Sequence, residues 1–399
     1  MANRPASPMP PPIEVDAQPG LPLGMTPQAF LRDYWQKQPL LIRGAFANFE
    51  APLSPDDLGG LSLEESALSR LIVHDPEADT WQVRSGPFDE ATFEQLPEDH
   101  WTLLVQDVDK WDADVAQMLA DFRFLPGWRV DDIMISYAED GGGVGAHVDQ
   151  YDVFLLQGLG QRRWAIDASP NPPLECRDDV ELKLLRQFNA THSWTLDTGD
   201  MLYLPPGVPH DGVGIGQGMT FSVGMRAPAR AELLLDASEY LAEHMDEADR
   251  YTDPDLAPAE RAGEIDAAAL DRVARSLGPM AEAMGRERMA DWFGRFITRY
   301  RSAQFAAPPP QPISIESLST ALDQGAALLR HPWSRLAWCQ TESGATLFAG
   351  GHAMACPPEL AQALCGDTPL QAAIAPGRRE REVLTALVNE GHLALEQAH

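Results

Sequence analysis

The sequence predicts an α+β protein, a sheet-rich barrel or sandwich followed by helical and mixed segments. Seven short apolar or alternating runs, among them WTLLVQDV, DDIMISYA, YDVFLLQGL and MTFSVGM, fall within residues 40–225 between turn residues. That is the texture of a closed or stacked sheet. After residue 228 the apolar residues recur at helical spacing, in ARAELLLDASEYLAEHMDEADR and RERMADWFGRFITRY. The stretch AAPPPQP at 306–312 then reads as a stiff linker ahead of a last segment of helices and a hairpin.

Taken in order, the Pro-rich opening to about residue 22 holds too little apolar content to pack and is expected to be disordered. In MTPQAFLRDYWQ, Thr26 caps a helix with Pro27 at its first position, and Phe30, Leu31 and Tyr34 recur along one face. LLIRGAF, RRWAID and GDMLYLP complete the set of strands. The helical region offers Leu233, Leu234, Leu241, Met289, Trp292 and Phe296, more apolar surface than a short helical segment buries alone, which points to a homodimer.

Composition excludes several functions. The 399 residues are 44% hydrophobic and 23% charged, as in soluble globular proteins of more than one domain. Nothing resembles a secretory leader or a membrane span, so a cytoplasmic protein with no membrane partner is expected. Cys176, Cys339, Cys356 and Cys365 show no CxxC pairing and are expected to be reduced. Thirty basic residues against sixty acidic ones oppose direct binding to nucleic acid. Residues 1–228 hold 15 of the basic and 35 of the acidic side chains, a field that steers a basic protein or simply keeps the chain soluble.

Chemistry concentrates in GGGVGAHVDQYDVFLLQGLGQRRW. His147 and Asp149, two apart on a strand, share a face and can hold one cation between them. In GDMLYLPPGVPHDG, a PPG turn can return His210 to the same place. Two histidines and a carboxylate make the facial triad of non-haem Fe(II) oxygenases. A dicarboxylate cosubstrate buried beside such a metal needs a cation at its far end. Either Arg162 or Arg163 supplies it, since adjacent strand residues face opposite ways. EHMD repeats the HxD spacing at His244 and Asp246, but in a helical pattern the two diverge. GGGVGA satisfies a dinucleotide-binding pattern but precedes a strand, where no helix N-terminus can receive a phosphate.

HVDQYDVFLLQGLGQRRW, GDMLYLPPGVPHDG and SVGMRAP together resemble the bacterial ribosomal oxygenases of the JmjC family, arginine 3-hydroxylases of a large-subunit ribosomal protein. The resemblance extends over nearly the whole chain. It implies a double-stranded β-helix of the cupin or JmjC jelly-roll type, a helical dimerisation region and a winged-helix-like C-terminal domain. The boundaries expected are 1–22 for the extension, 23–228 for the oxygenase domain, 229–310 for the helical region and 311–399 for the last domain. It further implies Fe(II) on His147, Asp149 and His210, 2-oxoglutarate on Arg162, and molecular oxygen as the third reactant. Ser136, in the strand IMISYA, can add a hydroxyl contact to the cosubstrate. For a guanidinium substrate, Asp140, Tyr151, Asp152 and Ser222 lie near the motifs in sequence, with Asp140 the first choice and a plain turn role its equal. The glycine run either lets backbone pass close to substrate or is a loop. Histidyl hydroxylation, lysyl demethylation and a non-catalytic interaction barrel remain as alternative functions.

Overall fold

The computed structural model describes residues 12–246, 250, 252, 254, 267–277, 284–302, 304, 306–366, 370, 374, 375 and 377–396. It divides into two compact units, Met1–Ala227 and Pro228–His399.

The first unit is one eleven-stranded sheet folded on itself. Its strands are β1 (Glu14–Asp16), β2 (Leu40–Arg43), β3 (Ser69–Asp75), β4 (Thr80–Ser85), β5 (Trp101–Val105), β6 (Val130–Ala138), β7 (His147–Val148), β8 (Val153–Ile166), β9 (His192–Leu196), β10 (Met201–Leu204) and β11 (Pro209–Met225). The order is β1-β2-β10-β8-β11-β6-β5-β3-β4, with β7 added on β11 and β9 on β8. YDVFLLQGL and RRWAID, read as two runs, are one strand. Gly160 takes φ +63 within β8, and the register on β11 shifts between Ile215 and Met219, so an irregularity bends the ribbon without ending it.

Period-two alternation sorts each long strand into two faces, except that β8 changes parity at the Gly160 irregularity, so that Val153 and Leu155 share a face with Trp164. Ile133, Ile135 and Tyr137 of β6 join the larger core with Phe154, Phe221 and Val223, and helix α1 (Pro27–Asp33) closes over it. Thr26 caps α1 by accepting from the Ala29 amide, and Pro27 opens the helix. Phe30 is then fully buried, with the Phe154 and Tyr203 rings 5.7 and 5.0 Å away. The other face holds Leu41, Val153, Leu155, Trp164, Leu202 and Leu204, the lining of the barrel interior.

Two expectations change. Residues 14–16, assigned to a disordered extension, pair parallel with Leu41–Arg43 as edge strand β1. Tyr34 Oη donates to the Pro12 carbonyl at 2.8 Å, and Glu14 accepts from Arg43 at 2.9 Å and from Trp194 Nε1 at 3.2 Å, so backbone pairing and these anchors replace the missing apolar content. Residues 1–11 lie outside the described residues.

The boundary expected at 310/311 falls inside the second unit. Helix Arg286–Arg299 packs on the sheet of Leu336–Thr341, Gly344–Ala349 and His352–Cys356, because Gly294 has no Cβ and the Phe348 ring fills that space. Ile315–Asp323, Pro358–Leu364 and Arg378–Asn389 bury Leu318, Leu322, Leu360, Leu384 and Leu387 in one further core. Trp292, Phe296 and Leu241 are also buried within the chain, Trp292 donating to Asp236 at 2.9 Å, so they are unavailable to a partner. Leu234 and Met289 stay exposed. All four cysteines are free thiols.

Candidate active site

β7 is two residues long, yet it decides the chemistry. It pairs antiparallel with the start of β11, so that His147 stands directly opposite His210. The ring centroids lie 4.2 Å apart. Asp149 Oδ2 lies 3.8 Å from His147 Nε2 and 3.6 Å from His210 Nε2. Among the described residues, this is the one group of three metal-ligand side chains whose donor atoms all lie within 4.8 Å of one another. The PPG turn does more than return the chain, because the Gly207 amide donates to the Asp149 carbonyl at 2.8 Å and ties the two motifs together.

The tautomers are set by backbone. His147 Nδ1 lies 2.9 Å from the Gly145 carbonyl and His210 Nδ1 2.9 Å from the Val208 carbonyl, so each Nδ1 carries the proton and donates it. Both Nε2 lone pairs are left for the shared point. Burial, and then His147, push His210 down to about 4, which keeps the imidazole neutral and available at neutral pH. The donor set and its orientation fit a divalent iron.

Burial settles which arginine enters: Arg162 is 4% exposed and Arg163 faces solvent. Arg162 donates to the Gly212 carbonyl and the Ser136 hydroxyl, both at 3.1 Å, and to Thr220 Oγ1 at 3.4 Å. Among the described residues no carboxylate accepts from it. Its Nε and the Trp164 Nε1 are buried without partners, and burial lowers the guanidinium to about 10, still cationic at neutral pH. A buried cation with an idle N–H is costly unless a ligand anion answers it, and this fits the distal carboxylate of 2-oxoglutarate. Ser136 holds this arginine. Thr220, directly opposite Ser136, is in turn anchored by donating to Gln157 at 3.1 Å. Thr220 and Gln157 were not singled out from sequence; inward alternation with Ser136 is the signal that finds them only once the register is known.

The glycine run is demanded by packing within the chain. A Cβ on Gly142 would sit 2.2 Å from the Trp101 carbonyl, one on Gly143 2.5 Å from the Gly212 carbonyl, and one on Gly145, at φ +74, 3.0 Å from the Trp81 ring. Asp140 is a correction. It is exposed, its carboxylate accepts from the Gly216 amide at 2.8 Å and its carbonyl from the His100 amide, so it fastens loops outside the barrel interior. Asp152 is a second correction. Fully buried, it accepts from Tyr203 Oη at 2.7 Å, Gln36 Nε2 at 2.8 Å and Arg129 Nη2 at 3.0 Å, which leaves nothing for a ligand. His244 lies just past the helix that ends at Glu243, with Nδ1 held 2.7 Å from the Tyr240 carbonyl.

The interior offers another carboxylate in their place. Asp132 shares the inward face of β6 with Met134 and Ser136, and Ser222 lies directly opposite Met134 on β11. Asp132 accepts from the Asp107 amide at 3.0 Å and, among the described residues, forms no ion pair. Burial first, then Asp107, push its carboxyl up to about 7. Tyr151, 42% exposed, has its phenol raised by burial of the hydroxyl and by Asp149, and Asp132 also acts on it, which brings Tyr151, Asp132 and the metal ligands to one region.

Residues 117–233 match the JmjC domain family and residues 280–394 the ROXA-like winged helix. The ribosomal protein uL16 3-hydroxylase of Escherichia coli is 38% identical over 302 residues, 75% of this chain and 79% of that one. A probable ribosomal oxygenase of Haemophilus influenzae is 38% identical over 244 residues, 59% of this chain and 56% of its own. The solved structure of the Escherichia coli ribosomal oxygenase YcfD in complex with cobalt and 2-oxoglutarate is similar at TM-score 0.80 and 35% identity, over 94% of this chain and 99% of that one.

Proposed function

From the premise that this chain belongs to the JmjC-domain ribosomal oxygenases, we propose that it hydroxylates an arginine side chain of a large-subunit ribosomal protein, uL16 or its counterpart. The chain is an Fe(II)- and 2-oxoglutarate-dependent dioxygenase. The observation that carries the assignment of the site is the convergence of His147, Asp149 and His210 beside a buried arginine that has no carboxylate partner.

His147, Asp149 and His210 would hold the iron, and Arg162, steadied by Ser136 and Thr220, would pair with the far carboxylate of 2-oxoglutarate. Bound together with oxygen, these groups supply the oxidising chemistry that places a hydroxyl on an unactivated carbon. The chain's own work is orientation and exclusion of water. Leu155, Leu202, Leu204 and Trp164 give the interior a buried apolar lining, in which the charge of Arg162 is screened less than in water. Asp132, an inward carboxylate with no cation of its own, suits the guanidinium, with Met134, Tyr151 and Ser222 around the alkyl stem. Asp132 and Met134 take over the part first given to Asp140 and Asp152, while Tyr151 and Ser222 keep theirs. A basic substrate also accords with the net charge of −30, which opposes nucleic acid as a direct partner.

The test is intact and peptide mass analysis of ribosomal proteins incubated with the enzyme, Fe(II) and 2-oxoglutarate. Addition of one oxygen atom to a single arginine of a large-subunit protein is expected; addition at a histidine, or loss of a methyl group from a lysine, would replace this reading with another of the family's chemistries.

We further propose a homodimer formed through the helical region 229–310. Leu234 and Leu235 of helix Arg230–Glu243 are 69% and 68% exposed, and Leu270 and Leu277 of helix Ala267–Leu277 are 59% and 57% exposed. Light scattering decides this, and a monomeric mass at micromolar concentration rejects it. No helix among the described residues is long and apolar enough to cross a membrane, which is compatible with the cytoplasmic location proposed for a ribosome-modifying enzyme.

A further inference from the structure

A second cavity, of about 430 Å³, opens on the other face of β6, where Tyr137 points away from Ser136 and the barrel interior. Trp101, Tyr137 and Phe93 wall it, and Asp56 and Glu90 stand at its rim. The Trp101 and Tyr137 ring centroids are 5.4 Å apart with the planes inclined at 48°, so the two rings form a corner instead of a stack. None of the ten lining residues is Lys, Arg or His. Asp56 and Glu90 are exposed and, among the described residues, enter no hydrogen bond or ion pair, unlike Asp57, which is spent on the Ser54 capping box. Tyr137 donates to Glu139 at 2.5 Å, which fixes the ring while its hydroxyl proton is already used.

An adjoining groove that shares Gly60 adds Trp111 at 37% exposure and the carboxylate Glu64, again with no basic lining residue, while its Asp112 is spent on capping the next helix through the Asp114 and Val115 amides. Aromatic faces with unspent carboxylates and no competing cation attract an ammonium or guanidinium group from both sides at once. The cavity also adjoins the loop that leads to the metal. Glu139 donates its amide to the Trp101 carbonyl at 3.2 Å, and the Gly142 amide donates to the Glu139 carbonyl at 2.8 Å, at the base of the run ending in His147.

We propose that this cavity docks a second basic side chain of the protein substrate, an arginine or lysine other than the one hydroxylated, against Trp101 and Tyr137 and paired with Asp56 and Glu90. The proposal rests on the substrate reading above. It assigns recognition of the folded protein to a surface apart from the pocket for the target residue.

The double variant Asp56→Asn/Glu90→Gln tests it with side chains that are exposed and outside the core. KM for the full-length ribosomal protein is expected to rise about fivefold to tenfold while kcat stays within about twofold and the melting temperature is unchanged. A short peptide carrying the target arginine, with its other basic residues replaced by glutamine, should show the same KM for both enzymes. An unchanged KM for the full protein, or an equal rise for the peptide, overturns the proposal. Should the wild-type enzyme hydroxylate no ribosomal protein, the substrate reading fails separately. Fluorescein-labelled tetraarginine then judges the cavity by fluorescence anisotropy, weaker binding to the double variant supporting it and equal binding overturning it.

Discussion

Two carboxylates of the same unit, Asp152 fully buried and Asp132 half-buried, have opposite surroundings. Asp152 is closed: Tyr203, Gln36 and Arg129 take up its oxygens, and its backbone carbonyl accepts from the Met225 amide. Asp132 and Arg162 are open, one an inward carboxylate with no cation and the other a buried cation with an idle Nε. A polar group whose bonding is completed within the chain holds the fold together, whereas one left incomplete stores a cost that a ligand can relieve. Proximity to the metal motif in sequence does not tell the two apart, and partner lists do.

The comparison can be broken at several points. Replacing His210 by Ala is expected to abolish hydroxylation and metal-dependent quenching of tryptophan fluorescence together, because two donors cannot close the site; retained iron binding would mean that another residue supplies the third ligand. Asp152→Ala should destabilise the protein by about 3–5 kcal/mol in urea unfolding, since it leaves Arg129 and Tyr203 without their shared partner. Activity per folded molecule should survive this change, and a selective loss of substrate affinity would move Asp152 into the open group.

Smaller effects are expected inside the barrel. Arg162→Ala should weaken 2-oxoglutarate binding by about 2–4 kcal/mol, read by calorimetry, against under about 0.5 kcal/mol for the solvent-facing Arg163→Ala. Equal losses would refute the alternation argument. Asp132 gives a pH signature. Its folded carboxyl sits near 7, above the ordinary 3.8, so the folded state keeps a proton that the unfolded chain has lost, and ionisation removes stability as pH rises from about 4 to 7. Only the ionised form pairs with a guanidinium, so substrate KM should fall as pH rises through about 7. Asp132→Asn should flatten that profile, raise KM by about 1–2 kcal/mol in equivalent free energy and slightly stabilise the protein at neutral pH. A profile unchanged by the substitution would remove Asp132 from substrate binding.

Much of the site was legible because its parts are local. HxD spacing and the PPG turn before His210 are properties of a few consecutive residues, and adjacency alone sets Arg162 and Arg163 on opposite faces of a strand without saying which of them points inward. The capped helix at Thr26 and the change of texture at residue 228 were legible for the same reason. Asp140 misled because nearness in sequence was taken for nearness in space, and the chain spends its carboxylate on Gly216, 76 residues away.

By itself, then, the sequence determined the ligand types, a pair of opposed arginines of which one enters, the strand-rich first unit and the acidic field, all of which follow from side-chain chemistry and short-range periodicity. Tertiary structure alone decided the rest. The register of β7 on β11 sets His147 opposite His210, and that of β6 on β11 sets Ser136 opposite Thr220 beneath Arg162. Packing set Asp132 against the Asp107 amide, burial enclosed Trp292 and Phe296, and backbone pairing recruited residues 14–16 as an edge strand. Each depends on segments far apart in the chain meeting at one alignment, and a shift of a single residue would turn every side chain of a strand to the other face.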